Sequence, residues 1–188
     1  LRHRVVRPAG EPPLVELEVF EPRTDEEVPG RTVTRAKATC VACGAVLPPE
    51  RMRAQLAAQR GGADVVFDGQ GRRAGGARML AVVMVRSSEQ ERQYRLPTGR
   101  DYEAVRTAQG RVAKILGDWE RGGRQGLCPV PDEPLPPVGT LGFRVQRYGV
   151  LQWGDLFTAR QKLVLVTLSN GCRVLVGEDG VRPVLGLT

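Results

Sequence analysis

The sequence predicts an α+β fold: a small antiparallel sheet with two or three helices and a Pro-rich extended arm. Three observations point to it. Short β-branched segments with strand-like alternation recur through the first half, and one long stretch carries apolar residues at helical spacing. The 14 prolines and 23 glycines among 188 residues leave much of the chain to turns.

Arg4-Val5-Val6 and Leu14 to Phe20 alternate as strands do, and Thr32 to Thr39 resumes the pattern after a polar turn from Pro22 to Gly30. Cys40-Val41-Ala42-Cys43-Gly44 reads as a tight turn. Pro48-Pro49-Glu50 opens a helix running to Arg60, since proline is tolerated in a first helical turn, and Gly61-Gly62 stops it. Val65-Val66-Phe67 then runs into Asp68-Gly69. No helix start follows, so this is a hairpin turn rather than a nucleotide loop. The apolar run Arg78 to Val85 reads as a buried strand, paired with Arg92 to Leu96 across a turn from Ser87 to Glu91.

The clearest element is a helix over Thr98 to Trp119. Tyr102, Val105, Val112, Ile115 or Leu116, and Trp119 share one face, with Arg106, Arg111, Lys114 and Asp118 turned outward and Gly122-Gly123 as the stop. Five prolines between Gly126 and Gly142 remove too many backbone donors for regular structure, so this stretch is a linker or an arm lying on a neighbouring surface. Two readings stand for 158–176. Thr158 is a helix N-cap, yet Lys162 to Leu168, Ser169-Asn170-Gly171 and Cys172 to Val176 also fit a hairpin with an Asn-Gly turn. The organisation is therefore 1–125 as an α+β domain, 126–142 as the arm, and 143–188 as a C-terminal helix with a β-like tail.

Net charge is +7, with 25 of the 28 basic residues being Arg. The surplus sits in residues 51–100, which carry ten basic against four acidic groups. Such a patch can meet phosphate, and Arg51, Arg53, Arg60, Arg72, Arg73 and Arg78 are its candidate nucleic-acid contacts. A solvated basic face reads equally from the same residues. No apolar run long enough to span a bilayer occurs. Four cysteines without a signal segment suggest reduced thiols and a cytoplasmic setting. A start at Leu1 without Met reads as a piece cut from something longer.

Cys40-x-x-Cys43-Gly44 is the most chemically loaded motif. Two thiolates on a tight turn can reach one tetrahedral metal, but a closed zinc site needs four ligands, so this is a zinc-ribbon-like Cys turn supplying a half site. Plain reduced cysteines and redox chemistry are the competing readings; the pair does not open a helix after a buried strand, where redox pairs usually sit. Cys128, Cys172 and the lone His3 are isolated. With a single histidine near the N-terminus, hydrolytic arrangements have little to stand on, and Asp132-Glu133 are adjacent carboxylates in a Pro-rich loop. Tyr148, Trp153 and Phe157 flank Arg144 and Arg147; they either stack on unpaired bases or, the favoured reading, anchor the core.

Three stretches carry a family resemblance: Arg60-Gly61-Gly62-Ala63-Asp64-Val65-Val66-Phe67-Asp68, then Arg95-Leu96-Pro97-Thr98 through Asp101-Tyr102-Glu103-Ala104-Val105, and the block from Gly126 to Leu168. Over about residues 14–168 they resemble the central region of adenine-specific DNA methylases containing a zinc ribbon. The resemblance implies S-adenosylmethionine as methyl donor for the full-length family, with its cofactor loop and Asp-Pro-Pro-Tyr motif outside this chain. Asp132-Glu133-Pro134-Leu135 is not that motif, so no catalytic residue carries over. Cys40 and Cys43 match the family's second Cys knuckle, with Ala42 where Pro is common, and the resemblance favours a helix over 158–168 followed by a β-like tail. A truncated or frame-shifted gene product would account for both ends.

Two functions follow as expectations. One is a non-catalytic accessory region of a DNA adenine methyltransferase that helps hold DNA, with the remainder of a methylase as its partner. The other is a structural or protein-interaction module without nucleic-acid contact, open to pairing with a second copy of itself.

Overall fold

The computed structural model describes residues 1–34, 37–85 and 91–176. Among these residues, nine short strands and three α-helices give the α+β class, but the expected single sheet is divided. Four separate small antiparallel sheets stand in its place among the described residues.

The first sheet pairs β1 (Arg2–Val6) with β2 (Leu14–Glu18). Its exposed face carries cross-strand pairs, Arg2 with Glu18 at 2.8 Å and Arg4 with Glu16 at 2.6 Å. Opposite charges facing one another in this way hold the register. The second sheet orders β3 (Val33–Thr34), β4 (Lys37–Thr39) and β5 (Val46–Leu47), with the cysteine turn joining the last two. The helix α1 (Pro49–Ala57) follows with proline at its start, as expected, but ends three residues before Arg60. Arg60 itself adopts a left-handed backbone at φ 47°, which breaks the helical path.

β6 (Val65–Phe67) and β7 (Arg73–Gly76) form the third hairpin. Its turn is built by Asp68, whose carboxylate accepts from the backbone N–H groups of Gln70 and Arg72, both at 2.9 Å. Asp68-Gly69 is thus a hairpin turn, as the missing helix start indicated. β8 (Val82–Val85) pairs with β9 (Arg92–Arg95) in the fourth sheet. The strand expected from Arg78 begins at Val82. It is not buried on both faces, since Val83 and Val85 are exposed opposite half-buried Val82 and Met84. Residues 86–90 of the expected turn lie outside the described residues.

The helix α2 (Gly99–Arg121) is the spine of the molecule. Thr98 is its N-cap, and the Asp101 carboxylate accepts from the Thr98 backbone N–H at 2.7 Å and hydroxyl at 2.8 Å. Arg95 adds two guanidinium bonds to Asp101 at 2.7 and 2.8 Å, fastening β9 to the start of the helix. These donors, Arg95 foremost, hold the Asp101 carboxyl far below the usual carboxylate range. Val105, Ala108 and Val112 are buried along α2, with Tyr102, Ile115, Leu116 and Trp119 half-buried on the same side. Arg106, Arg111, Lys114 and Asp118 face solvent.

The Pro-rich segment lies against the helices and holds, among the described residues, only a bridge from Pro134 to Gln152 and a short 3-10 turn at Thr140–Gly142. Val130 joins Val112 and Val166 in the principal core cluster, flanked by Ile115, Leu116 and Leu163. Leu135 is also buried, and its N–H donates to Leu151 at 2.8 Å, while Gly154 donates to Pro131 at 2.8 Å. That approach is close enough to require glycine at 154. A Cβ there would stand 2.6 Å from the Pro131 carbonyl oxygen.

The last element, α3 (Ala159–Val176), settles the choice for 158–176 in favour of a helix. The Asn-Gly hairpin does not form, and the β-like tail expected after Leu168 is helical as far as Val176; residues 177–188 lie outside the described residues. Two caps start the helix. Asp64 Oδ1 accepts from the Ala159 N–H at 3.1 Å, and Gln161 Oε1 accepts from the N–H and hydroxyl of Thr158 at 2.9 and 3.0 Å. Packing of Leu163 and Val166 onto α2 then supplies the tertiary support that a helix of this length requires.

Candidate functional site

Two places carry chemistry or shape beyond what the fold itself uses: the cysteine turn between β4 and β5, and the outer surface of α3 with the adjoining arm.

At the cysteine turn, the Cys40 N–H donates to Ala45 and the Gly44 N–H donates to Cys40, both at 2.8 Å. Gly44 takes φ +73°, the left-handed conformation that closes the loop without a Cβ penalty. The backbone N–H of Ala42 and then that of Cys43 donate to the Cys40 sulfur, as does the Cys43 thiol. These donors favour the thiolate, so the Cys40 thiol is held below its ordinary value. Arg7 reaches from the end of β1 and donates to the Ala42 carbonyl at 2.8 Å.

The half zinc site is not completed. Among the described residues no group of three or more His, Cys, Asp or Glu side chains gathers where a metal could bind. Cys40 and Cys43 bring two ligands where a closed tetrahedral site needs four. The zinc-ribbon part of the expected fold and zinc as a cofactor are therefore overturned. All four cysteines are free, and burial pushes the Cys128 thiol up, the opposite direction to Cys40.

The six candidate nucleic-acid arginines occupy α1, the β6–β7 hairpin and the loops beside them. Arg60 donates to Gln152 at 2.8 Å and lies 3.0 Å from Asp155; Arg72 pairs with Asp68 at 3.1 Å. Arg73 donates to the carbonyls of Ala77 and Gly76, both at 3.0 Å. Arg53 is half-buried on α1, its Nε without a partner, while Arg51 and Arg78 are exposed. Half of the set is thus already bonded within the chain. Phe143 meets Trp153 edge-on with ring centroids 5.7 Å apart, and Tyr148 and Phe157 are half-buried. Trp153 itself is 37% exposed and none of Tyr148, Trp153 and Phe157 is in the buried core, so these aromatics border the core rather than fill it.

No family model, curated protein or solved structure matches this chain. The resemblance to adenine-specific DNA methylases is not upheld, and the methyltransferase and zinc-ribbon assignments fall with it, as does the implied S-adenosylmethionine. DNA binding as a family property has no support either. The stretches that carried the resemblance have structural roles instead. Asp64 caps α3, Arg95 and Asp101 fasten β9 to α2, and the proline block fills the core through Val130 and Leu135. No helix among the described residues is long and apolar enough to cross a membrane.

The surface that sequence reasoning missed is on α3. Ala159, Leu163 and Val166 turn inward at a spacing of four and three residues. On the remaining face Val164, Leu165 and Leu168 are 55, 49 and 61% exposed. A groove of about 260 Å³ borders them, lined by Pro129, Pro131, Phe157, Lys162, Leu165 and Ser169. The signal was obscured in the sequence because Lys162 to Leu168 fits a hairpin strand as well as a helix.

Proposed function

We propose that this chain is a non-catalytic interaction module, and that α3 with the Pro-rich arm docks an acidic, amphipathic helix of a partner polypeptide. The observation that carries this reading is the apolar stripe Val164, Leu165 and Leu168, left open on a helix whose other edge is in the core. Contiguous apolar surface beside polar groups is the usual mark of a docking site, and helix-in-groove recognition uses anchors at this spacing.

Charge selects the partner. Among its described side chains α3 carries Arg160 and Lys162 and no carboxylate, so an acidic rim on the incoming helix complements it. A second copy would bring a like-charged helix to the same face. Nucleic acid would satisfy the cations but leave the valine and leucines against phosphate.

The test starts with light scattering of the full chain, followed by titration with a labelled Glu/Leu-based amphipathic peptide and, separately, with labelled duplex DNA. Peptide binding that weakens with salt and is lost in Leu165→Glu is the expected result. A concentration-dependent dimer broken by Leu165→Glu would replace the partner with a second copy. Tight DNA binding indifferent to Leu165→Glu, with no peptide binding, would overturn the proposal.

A further inference from the structure

A third place is set apart from the cysteine turn and the outer face of α3. β6, the segment after β7, the first half of α2 and the start of α3 line a cavity of about 210 Å³. It shares no lining residue with the groove at Pro129 and Leu165. Val65 and Val105 are buried there and Met79 is half-buried, so its back is apolar. Arg78 and Arg160 are exposed at its rim. Neither guanidinium has an ion-pair or hydrogen-bond partner among the described residues, whereas Arg60, Arg72 and Arg73 are all bonded within the chain.

The walls are fastened to one another across long stretches of chain. The Ala77 N–H donates to the Asp64 carbonyl at 2.9 Å, and the Met79 N–H to the Tyr102 hydroxyl at 3.2 Å. The Gln109 amide donates to the Val65 carbonyl at 2.8 Å, and the Ala159 N–H to Asp64 Oδ1 at 3.1 Å. A site held in shape by such bonds spares a ligand the cost of ordering it.

From this geometry we propose that the cavity binds a free aliphatic monocarboxylate of the hexanoate class. The alkyl chain lies against Val65, Met79 and Val105, and the carboxylate accepts from Arg78 and Arg160 at the rim. Size and charge set the class. A cavity of about 150 Å³ takes benzene, so about 210 Å³ takes about eight non-hydrogen atoms, the number in hexanoate. Asp64 is the one carboxylate in the lining, so the two guanidinium groups leave a surplus of one positive charge. One carboxylate neutralises that surplus, and guanidinium forks match its planar, two-oxygen geometry. A phosphate dianion exceeds it and leaves the apolar back uncovered. Neither contact involves the exposed stripe of α3, so the site stands whether or not a partner helix docks there.

Sodium hexanoate is titrated into the full chain at constant ionic strength and followed by methyl NMR. Acetate, hexylamine and inorganic phosphate are the parallel probes. Hexanoate is expected to shift the methyl signals of Val65, Met79 and Val105 saturably. It should bind at least about tenfold more tightly than acetate, because each buried methylene adds to affinity, and hexylamine should shift nothing. Arg78→Gln and Arg160→Gln should each weaken hexanoate at least about tenfold through loss of a charge-assisted bond. Both side chains are exposed, so melting temperatures should stay near that of the unaltered chain, and the probe comparison needs no variant. Leu165→Glu, which removes the helix-docking stripe, should leave hexanoate binding unchanged, so the two readings fail separately. Several outcomes would each overturn the proposal: hexanoate and acetate binding alike, phosphate displacing hexanoate at equal concentration, or hexylamine binding as well as hexanoate. Undiminished binding in both arginine variants, or no saturable shift of the three residues' methyl signals, would do the same.

Discussion

Arg60 and Asp155 stand 95 residues apart in the chain, yet their side chains meet at 3.0 Å and join the end of α1 to the short helical turn Trp153–Leu156. Asp155 is the anchor of the contact. Its carboxylate also accepts from the backbone N–H groups of Leu151 at 3.0 Å and Gln152 at 3.1 Å, and its side chain is only 10% exposed. Arg60 is 62% exposed, so solvent screens its share. Asp155→Ala is therefore expected to cost about 2–3 kcal/mol in urea unfolding, and Arg60→Ala about 1 kcal/mol or less. Equal losses would show that the ion pair outweighs the backbone bonds.

The same carboxylate sets a pH dependence. Burial pushes Asp155 up, but the N–H groups of Leu151 and Gln152 and the Arg60 guanidinium more than offset this and hold it below the usual carboxylate range. A carboxyl depressed in the folded state contributes fully above its unfolded value of about 3.9. That contribution is lost as pH falls through the lower folded value. Urea midpoints of the unaltered chain and Asp155→Asn are expected to keep a constant gap from pH 7 to about 5 and to converge below about 4.

The two faces of α3 should respond oppositely to truncation. Val166 lies in the cluster with Val112 and Val130, and Val166→Ala is expected to cost about 2 kcal/mol from lost burial plus the cavity left behind. Val164, 55% exposed, should lose under about 0.5 kcal/mol on the same change. Thermal melts of the two variants measure the difference.

Gly154 is expected to tolerate no side chain. A Cβ would meet the Pro131 carbonyl oxygen at 2.6 Å and Val130 Cγ1 at 2.9 Å, and the first of these is backbone. Gly154→Ala should destabilise by about 1–3 kcal/mol through forced separation of the arm from this turn. Chymotrypsin cleavage after Leu151, whose carbonyl accepts from the Leu135 N–H of the arm, should accelerate in the variant.

Asp64 is the remote cap of α3. Asp64→Ala is expected to cost about 1 kcal/mol, the usual loss for an N-terminal helix cap. Circular dichroism should show reduced helicity with α2 intact, because α2 begins on its own Thr98 and Asp101.

Local periodicity decided the elements whose partners are close in sequence. α2 was legible because its apolar residues repeat at helical spacing and Gly122-Gly123 mark its stop. The Asp68 turn and the cysteine turn were legible for the same reason, since a few neighbouring residues close each one. Tertiary structure alone decided the number of ligands around Cys40 and Cys43, the internal partners of Arg60 and Arg73, and the division into four sheets. It also decided α3, where the turn preference of Asn170-Gly171 competes with helix propagation. Caps from Asp64 and Gln161 and packing on α2 start the helix, and extending a helix once started costs little. Contacts made across long separations follow from where elements pack, and that is the property a local pattern does not encode.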